Sequence, residues 1–399
     1  MTTPHPVFHA RPALVGVPLG VAVLGLGLTA LRGVGGAEHG RVALFAYLVA
    51  FAYWLGLALG ALALLMAFHA AKARWMVVVR RPLEAMAGAL IAFPLLFLPI
   101  ALGMRTLFPW AGATAGLDDE ALRLLHHRAP YLNPTFFLVR AAIYFTVWVT
   151  FAGLFWRWST RQDGSGAPDL TVKAWKLGAG GLPALGLTLT FAAIDWLMSL
   201  GVAWYSTIWG VYYFAGSFVG AIALLILATW ALARTPALLD AVRVPHWLSL
   251  GKLLLAFTCF WAYIAFSQYM LTWIGNLPDT IPWMLLRQDH AWRWIGGALL
   301  VGHFLVPFLL LLSRPRKMDP QRLAPVAAWI LVVHYLDLYW LVMPQVRPDS
   351  IVPDWSNLTA FLGVGGVAVA TAVALLRGRH ALPVRDPFLA DSLAYARIR

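Results

Sequence analysis

Among the ionisable side chains within or at the ends of otherwise apolar stretches of this sequence are Arg105, Arg140, Asp195, Lys252, His303, His334 and Asp337. An ionisable group in hydrocarbon is costly, so each is a functional hypothesis until a partner accounts for it. His334 and Asp337 are three residues apart and share one face of a helix. Tyr263, Ser267 and Gln268 add hydroxyl and amide groups along a further stretch. Carboxylates, imidazoles and hydroxyls hand protons along hydrogen-bonded chains, so one reading of the set is a proton route. In the other reading the set is architecture: Arg140 pairs with Asp195 or Asp337, and the histidines donate to backbone carbonyls. Helix rotation decides between the two, and residue spacing alone leaves it open.

The elements that must position these groups follow from composition. Of 399 residues, 61% are hydrophobic and only 12% charged, about half the charge a soluble domain carries. A soluble enzyme, a disordered chain and a fibrous repeat are all excluded, and a polytopic membrane protein remains. Ten stretches are long enough to cross the bilayer core as helices: roughly 13–31, 42–69, 85–108, 135–155, 180–200, 206–233, 251–275, 293–313, 324–343 and 358–377. None alternates as a barrel strand does, and helices satisfy their own backbone in lipid, so the fold class is all-α. Pro94, Pro99 and Pro307 fall inside spans and predict local kinks. The first span lacks a cleavable signal pattern and reads as retained.

The net charge of +13 is mostly topology. Among loop residues, only Arg32, Arg41, Arg123, Arg128, Arg287, Arg293 and Arg347 lie on the side opposite the N-terminus; the N-terminal side holds the large excess, Arg397 and Arg399 included. That imbalance places both termini in the cytoplasm, with anionic lipid as the partner of the basic loops. Nucleic acid has no further support. On this orientation Arg140, Asp195 and Asp337 converge on one depth in the outer third, with His303 and His334 near the middle and Lys252 at the inner end.

The two longest connections are 109–134, outside, and 157–179, inside. The first holds Asp118, Asp119 and Glu120 and reads as a short surface helix or a cap that touches a partner; its adjacent His126 and His127 point apart and lack further ligands at metal spacing. The second, around Gln162-Asp163-Gly164-Ser165-Gly166-Ala167-Pro168, reads as a flexible turn. One cysteine, Cys259, rules out a disulfide framework and a thiolate cluster site. A haem b needs opposed histidines, and His303 and His334 are the only candidate pair, too few for a two-sided electron path. The chain is read as carrying no cofactor. Many of the 20 tryptophans fall near span ends, where an interfacial belt is expected.

Three stretches carry a resemblance. One reads Phe191-Ala-Ala-Ile-Asp195-Trp196-Leu-Met-Ser199-Leu200 and continues to Trp204-Tyr-Ser-Thr-Ile-Trp-Gly210; another runs from Gly251-Lys252 through Tyr263, Ser267 and Gln268 to Asn276-Leu-Pro278-Asp279; the third is His334-Tyr-Leu-Asp337-Leu-Tyr-Trp340-Leu-Val-Met-Pro344. With the ten-span plan, they resemble the F-type membrane subunits (ActF) of bacterial alternative complex III, a quinol:acceptor oxidoreductase. The resemblance is densest over 180–345. It implies an NrfD-like fold of two four-helix bundles, about 42–200 and 206–343, with the first and last spans peripheral. It implies a bacterial cytoplasmic-membrane location and partner subunits: an NrfD-like sibling with the quinol site, an iron–sulfur subunit, subunits carrying haem c, and small membrane subunits. Membership of an assembly with a terminal oxidase stays open. The F-type subunit of such complexes holds no redox cofactor and is proposed to conduct protons. The matching positions here are Asp195, Ser199, Lys252, Tyr263, Ser267, Gln268 and Asp337. Where the family commonly places an acidic residue, proline and histidine after Met-Ser-Leu, this chain has Gly201-Val202-Ala203, so an outer carboxylate exit at that turn is in doubt.

Two further readings are kept beside this one. In the first, His334 and Asp337 accept the hydroxyl protons of a quinol in an aromatic pocket of this subunit. In the second, the chain is a stand-alone secondary transporter, for which no inverted repeat or broken mid-membrane helix is visible.

Overall fold

The computed structural model describes residues 7–9, 11–112, 118–236, 238, 240–289 and 291–396. Among them are ten helices long and apolar enough to span a membrane: α1 (Ala13–Gly33), α2 (Ala37–Ala70), α3 (Arg74–Leu102), α4 (Pro134–Ser165), α5 (Pro168–Leu200), α6 (Trp209–Ala233), α7 (Val244–Gly275), α8 (Trp292–Leu312), α9 (Pro320–Gln345) and α10 (Trp355–Leu376). The chain is an all-α, multi-pass membrane protein. Arg397 and Arg399 lie outside the described residues.

Three span ends differ from the sequence reading by ten residues or more. Helix α3 starts at Arg74, not near residue 85, and carries Arg80 and Arg81 inside the protein. Helices α4 and α5 continue well past the apolar stretch and meet at Gly166 and Ala167, so 157–179 is a helical hairpin rather than a long loop. Gly166 supplies the left-handed residue the reversal needs (φ 65°), and Gln162 donates to the Ala167 carbonyl (3.0 Å) and the Thr171 hydroxyl (2.7 Å) to close it. Loss of hydropathy does not end a helix; only a residue that breaks the backbone pattern does.

The prolines act as expected. Regular helix in α3 stops at Gly88, gives way to a 3₁₀ turn over Ala89–Ala92, and resumes in two short pieces with Pro94 and Pro99 at their starts. In α8, Pro307 has no N–H for the carbonyl four residues back, that of His303. The turn immediately before it, Leu300–Leu305, opens to π-helical geometry, a distortion often found where a helix positions a functional side chain. The acidic run does form a surface helix, Asp119–Arg128, capped by Asp118 accepting from the Ala121 N–H (2.7 Å).

Helix α2 is the central element, buried along almost all of its apolar length. It packs on α3 and α5, α3 on α4, and α4 on α5; α6 packs on α7 and α9, and α8 bridges α7 and α9. The α2–α5 and α6–α9 groups meet where α2 lies along α6. Helix α1 touches the rest mainly through α10, with small residues at the crossing: a Cβ on Gly25 would fall 2.7 Å from the Gly363 nitrogen. The first and last described segments meet on one face, the terminal face, because β1 (Val7–Phe8) pairs with β2 (Arg379–His380). On that terminal face Ser392 ties the C-terminal segment to both groups. Its hydroxyl donates to the Trp75 carbonyl (2.7 Å), and its carbonyl contacts the His246 ring (3.0 Å).

At the opposite face Asp354 caps α10 and pairs with Arg32 of α1 (2.8 Å). Burial raises its pKa, but the Arg32 guanidinium and the Ser356 N–H outweigh that and hold the carboxyl at about 2. A carboxylate depressed in the folded state stabilises it at pH values above the unfolded pKa and loses that contribution as pH falls through the folded one. The thermal-midpoint difference between wild type and Asp354→Asn is therefore expected to be constant near neutral pH and to shrink below about pH 4.

Candidate functional site

The two membrane-embedded aspartates have opposite surroundings. Asp195, near the end of α5, is fully buried and receives both arms of a fork: Arg140 on α4 donates Nε–H to Oδ2 (2.8 Å) and Nη2–H to Oδ1 (2.9 Å). Tyr144, one helical turn from Arg140, donates to Oδ2 as well (2.9 Å). Arg140 also donates to the Tyr131 carbonyl (2.8 Å) and stacks over the Tyr131 and Phe136 rings. Both carboxylate oxygens are used, and bidentate pairing is the strongest geometry the two groups have. The arrangement is a closed ion pair. It resolves the choice that sequence left open: Arg140 partners Asp195, not Asp337.

Asp337 on α9 is equally buried, yet among the described residues no cation pairs with it. Its two oxygens accept from the Tyr212 hydroxyl of α6 (2.7 Å) and the Trp261 indole N–H of α7 (3.1 Å). Trp261 leads on to the histidines, its ring 3.7 Å from that of His303 on α8. His303 and His334 face each other across α8 and α9 with ring centres 6.0 Å apart, and all four of their ring nitrogens are buried without a protein partner. In the architectural reading the histidines donate to carbonyls, and the geometry does not give that. The His334 ring lies in a groove made by two glycines of α6: a Cβ on Gly216 would sit 2.8 Å from its Cε1, and one on Gly220 3.1 Å from its Cδ2. Tyr53 of α2 covers its other side, ring centres 5.4 Å apart. The site is thus a carboxylate, two tyrosines, a tryptophan and two imidazoles, drawn from α2, α6, α7, α8 and α9.

The remaining candidates divide. Ser199 belongs with Asp195, donating to its backbone carbonyl and accepting from the Trp110 indole (3.1 Å). Gln268 is buried and accepts from Ser206 while donating to Thr272 (3.0 Å). Tyr263 does not join: it is 66% exposed on the outer flank of α7, two residues from Trp261 and so turned away from the interior. Ser267 is half-buried with no hydrogen bond to either aspartate. Lys252 is exposed near the terminal face, beside Lys317, whose amine pKa is pushed down by burial and then by the Lys252 charge.

Sequence reasoning missed a third polar cluster, at the terminal face. Arg80 pairs with Glu84 (3.1 Å) and Asp386 (2.6 Å), and Arg81 with Asp163 (2.7 Å) and Glu84 (3.6 Å). The available signal was the run Arg80-Arg81-Pro82-Leu83-Glu84 directly ahead of the third span, with acid and base at i, i+4. Comparison with known proteins adds no family: no family model and no curated protein matches the chain.

Proposed function

We propose that this chain is the cofactor-free membrane subunit of a quinol-oxidising respiratory complex of the alternative complex III kind, and that its α6–α9 group passes protons. The partners would then be the subunits holding iron–sulfur clusters and haem c, with both termini cytoplasmic. The basic-loop imbalance supports that orientation. The observation that carries the proton role is the contrast between the aspartates. Asp195 is locked in an ion pair, whereas Asp337, among the described residues, pairs with no cation, touches a hydroxyl, and adjoins two imidazoles whose nitrogens have no hydrogen-bond partner among them. A carboxylate held this way can exchange a proton without breaking a salt bridge, and the imidazoles extend the path deeper into the bundle.

The test uses the native complex, purified through a tag on this chain and reconstituted into vesicles. Co-purification with haem c and iron–sulfur subunits is expected; a colourless, stable chain recovered alone rejects the complex. Asp337→Asn keeps the size and both hydrogen-bonded neighbours, so assembly and quinol oxidation are expected to persist while quinol-driven proton translocation falls to background. Translocation unchanged in this variant rejects the proton role.

A further inference from the structure

Beside the Asp337 site lies a cavity of about 470 Å³, within the range of small-molecule sites. Its walls are aromatic: Trp209 and Tyr212 of α6, Trp261 of α7, Trp283, and Trp340 of α9. It opens toward the lipid between α7 and α8, where Phe266 and Leu300 line it and are themselves 62% and 58% exposed. A ligand dissolved in the membrane can reach it sideways.

Several buried donors on this wall are only partly used or unused. The indole N–H groups of Trp209 and Trp340 are buried and have no acceptor, and the Trp340 nitrogen is the nearest atom to a Cβ built on Gly296, another lining residue (3.8 Å). Arg287 is 1% exposed and is held by backbone carbonyls rather than by a carboxylate, donating to those of Trp283 (2.8 Å), Trp340 (3.2 Å) and Leu341. Its guanidinium lies 3.4 Å from the Trp283 ring centre, and each terminal nitrogen keeps a second N–H. Buried donors without acceptors are costly, so the fitting ligand brings acceptor oxygens on a flat ring. Gln268, Tyr269 and Gln288 also line the cavity, and the Tyr212 oxygen, whose hydrogen is given to Asp337, faces it as an acceptor.

We infer that this cavity binds a planar, membrane-soluble aromatic dione, the quinone class, with its carbonyl oxygens toward Arg287 and the Trp340 indole. Its reduced, hydroxyl-bearing form would donate to Tyr212 and so touch Asp337 through one hydrogen bond. Occupancy does not depend on Asp337 carrying protons. A lipid phosphate would also satisfy Arg287, but it would leave the aromatic walls without a flat partner.

The experiment titrates the full chain, in phosphatidylcholine nanodiscs, with menadione and follows tryptophan quenching. Gly296→Leu sends a side chain toward the Trp340 nitrogen, into the cavity, and raises helix propensity. Should that variant not fold, Gly297→Leu, whose Cβ meets nothing within 4 Å, blocks the same space. Wild type is expected to show a saturable phase that weakens at least about tenfold in the blocked variant, equivalent to roughly 1.4 kcal/mol. Adding phosphatidylglycerol should leave that phase unchanged. Quenching that never saturates, or is identical in both proteins, overturns the inference. Competition by phosphatidylglycerol also overturns it and assigns the cavity to a lipid phosphate.

Discussion

Arg140→Ala is expected to cost about 3–5 kcal/mol, because it strips the cation from a carboxylate that cannot reach water. Asp195 has no exposed side-chain surface and Arg140 very little. After the substitution only the Tyr144 hydroxyl would remain against Asp195. The readout is recovery of monodisperse protein and the thermal unfolding midpoint in one detergent. Asp195→Asn should fail in the mirror sense, leaving a guanidinium with a neutral partner. The double variant Arg140→Met, Asp195→Leu removes both charges, and buried pairs replaced by apolar groups of similar volume are often neutral. It is expected to recover most of the loss, so the coupling between the two sites should exceed about 1 kcal/mol. If each single variant is as stable as wild type, the pair is not structural and the proton role assigned to Asp337 alone needs revision. The comparison with Asp337→Asn is direct: that change orphans no cation, and its expected cost falls on proton movement.

How far the sequence could be read is seen best on α7. Position along an apolar run gives an order of depths, and on that order Tyr263, Ser267 and Gln268 follow one another toward one end of the helix. Rotation did not follow. The buried stripe is Leu254, Thr258, Trp261, Ile264, Gln268 and Thr272, spaced by threes and fours, so Trp261 faces in and Tyr263 faces out. A membrane helix is apolar on both its lipid and its protein faces, which removes the contrast that fixes rotation in a soluble helix. The same ambiguity hid Tyr212, the hydroxyl that Asp337 needs, within an aromatic run whose function could not be told from packing. Span ends failed for another reason. Hydropathy marks where lipid begins, while the backbone of α3 and α4 continues into a region whose charges are met by other charges, as at Arg80 and Asp386.

That third cluster yields the second large effect, and its arithmetic of charge sets the order of outcomes. Arg80 and Arg81 face three carboxylates, Glu84, Asp163 and Asp386, in a region where both guanidinium groups are almost wholly buried. Arg81→Met would leave three carboxylates around one cation, the worst imbalance a single neutral substitution can produce there. The expected loss is again about 3–5 kcal/mol, read as a fall in unfolding midpoint or failure to accumulate. Glu84→Gln moves the other way, to two cations and two carboxylates, and should cost clearly less than Arg81→Met despite touching the residue both arginines share. Asp386→Asn has the same charge outcome but a different place in the chain. It removes the acceptor that anchors the segment after β2 to α3 (2.6 Å to Arg80), while Asp391 still meets Arg74 at an exposed pair (2.9 Å) that contributes little. Limited proteolysis should therefore cut beyond residue 380 faster in Asp386→Asn than in Glu84→Gln at matched midpoint. Equal cutting would mean that Ser392, through Trp75 and His246, holds the segment without the buried ion pair.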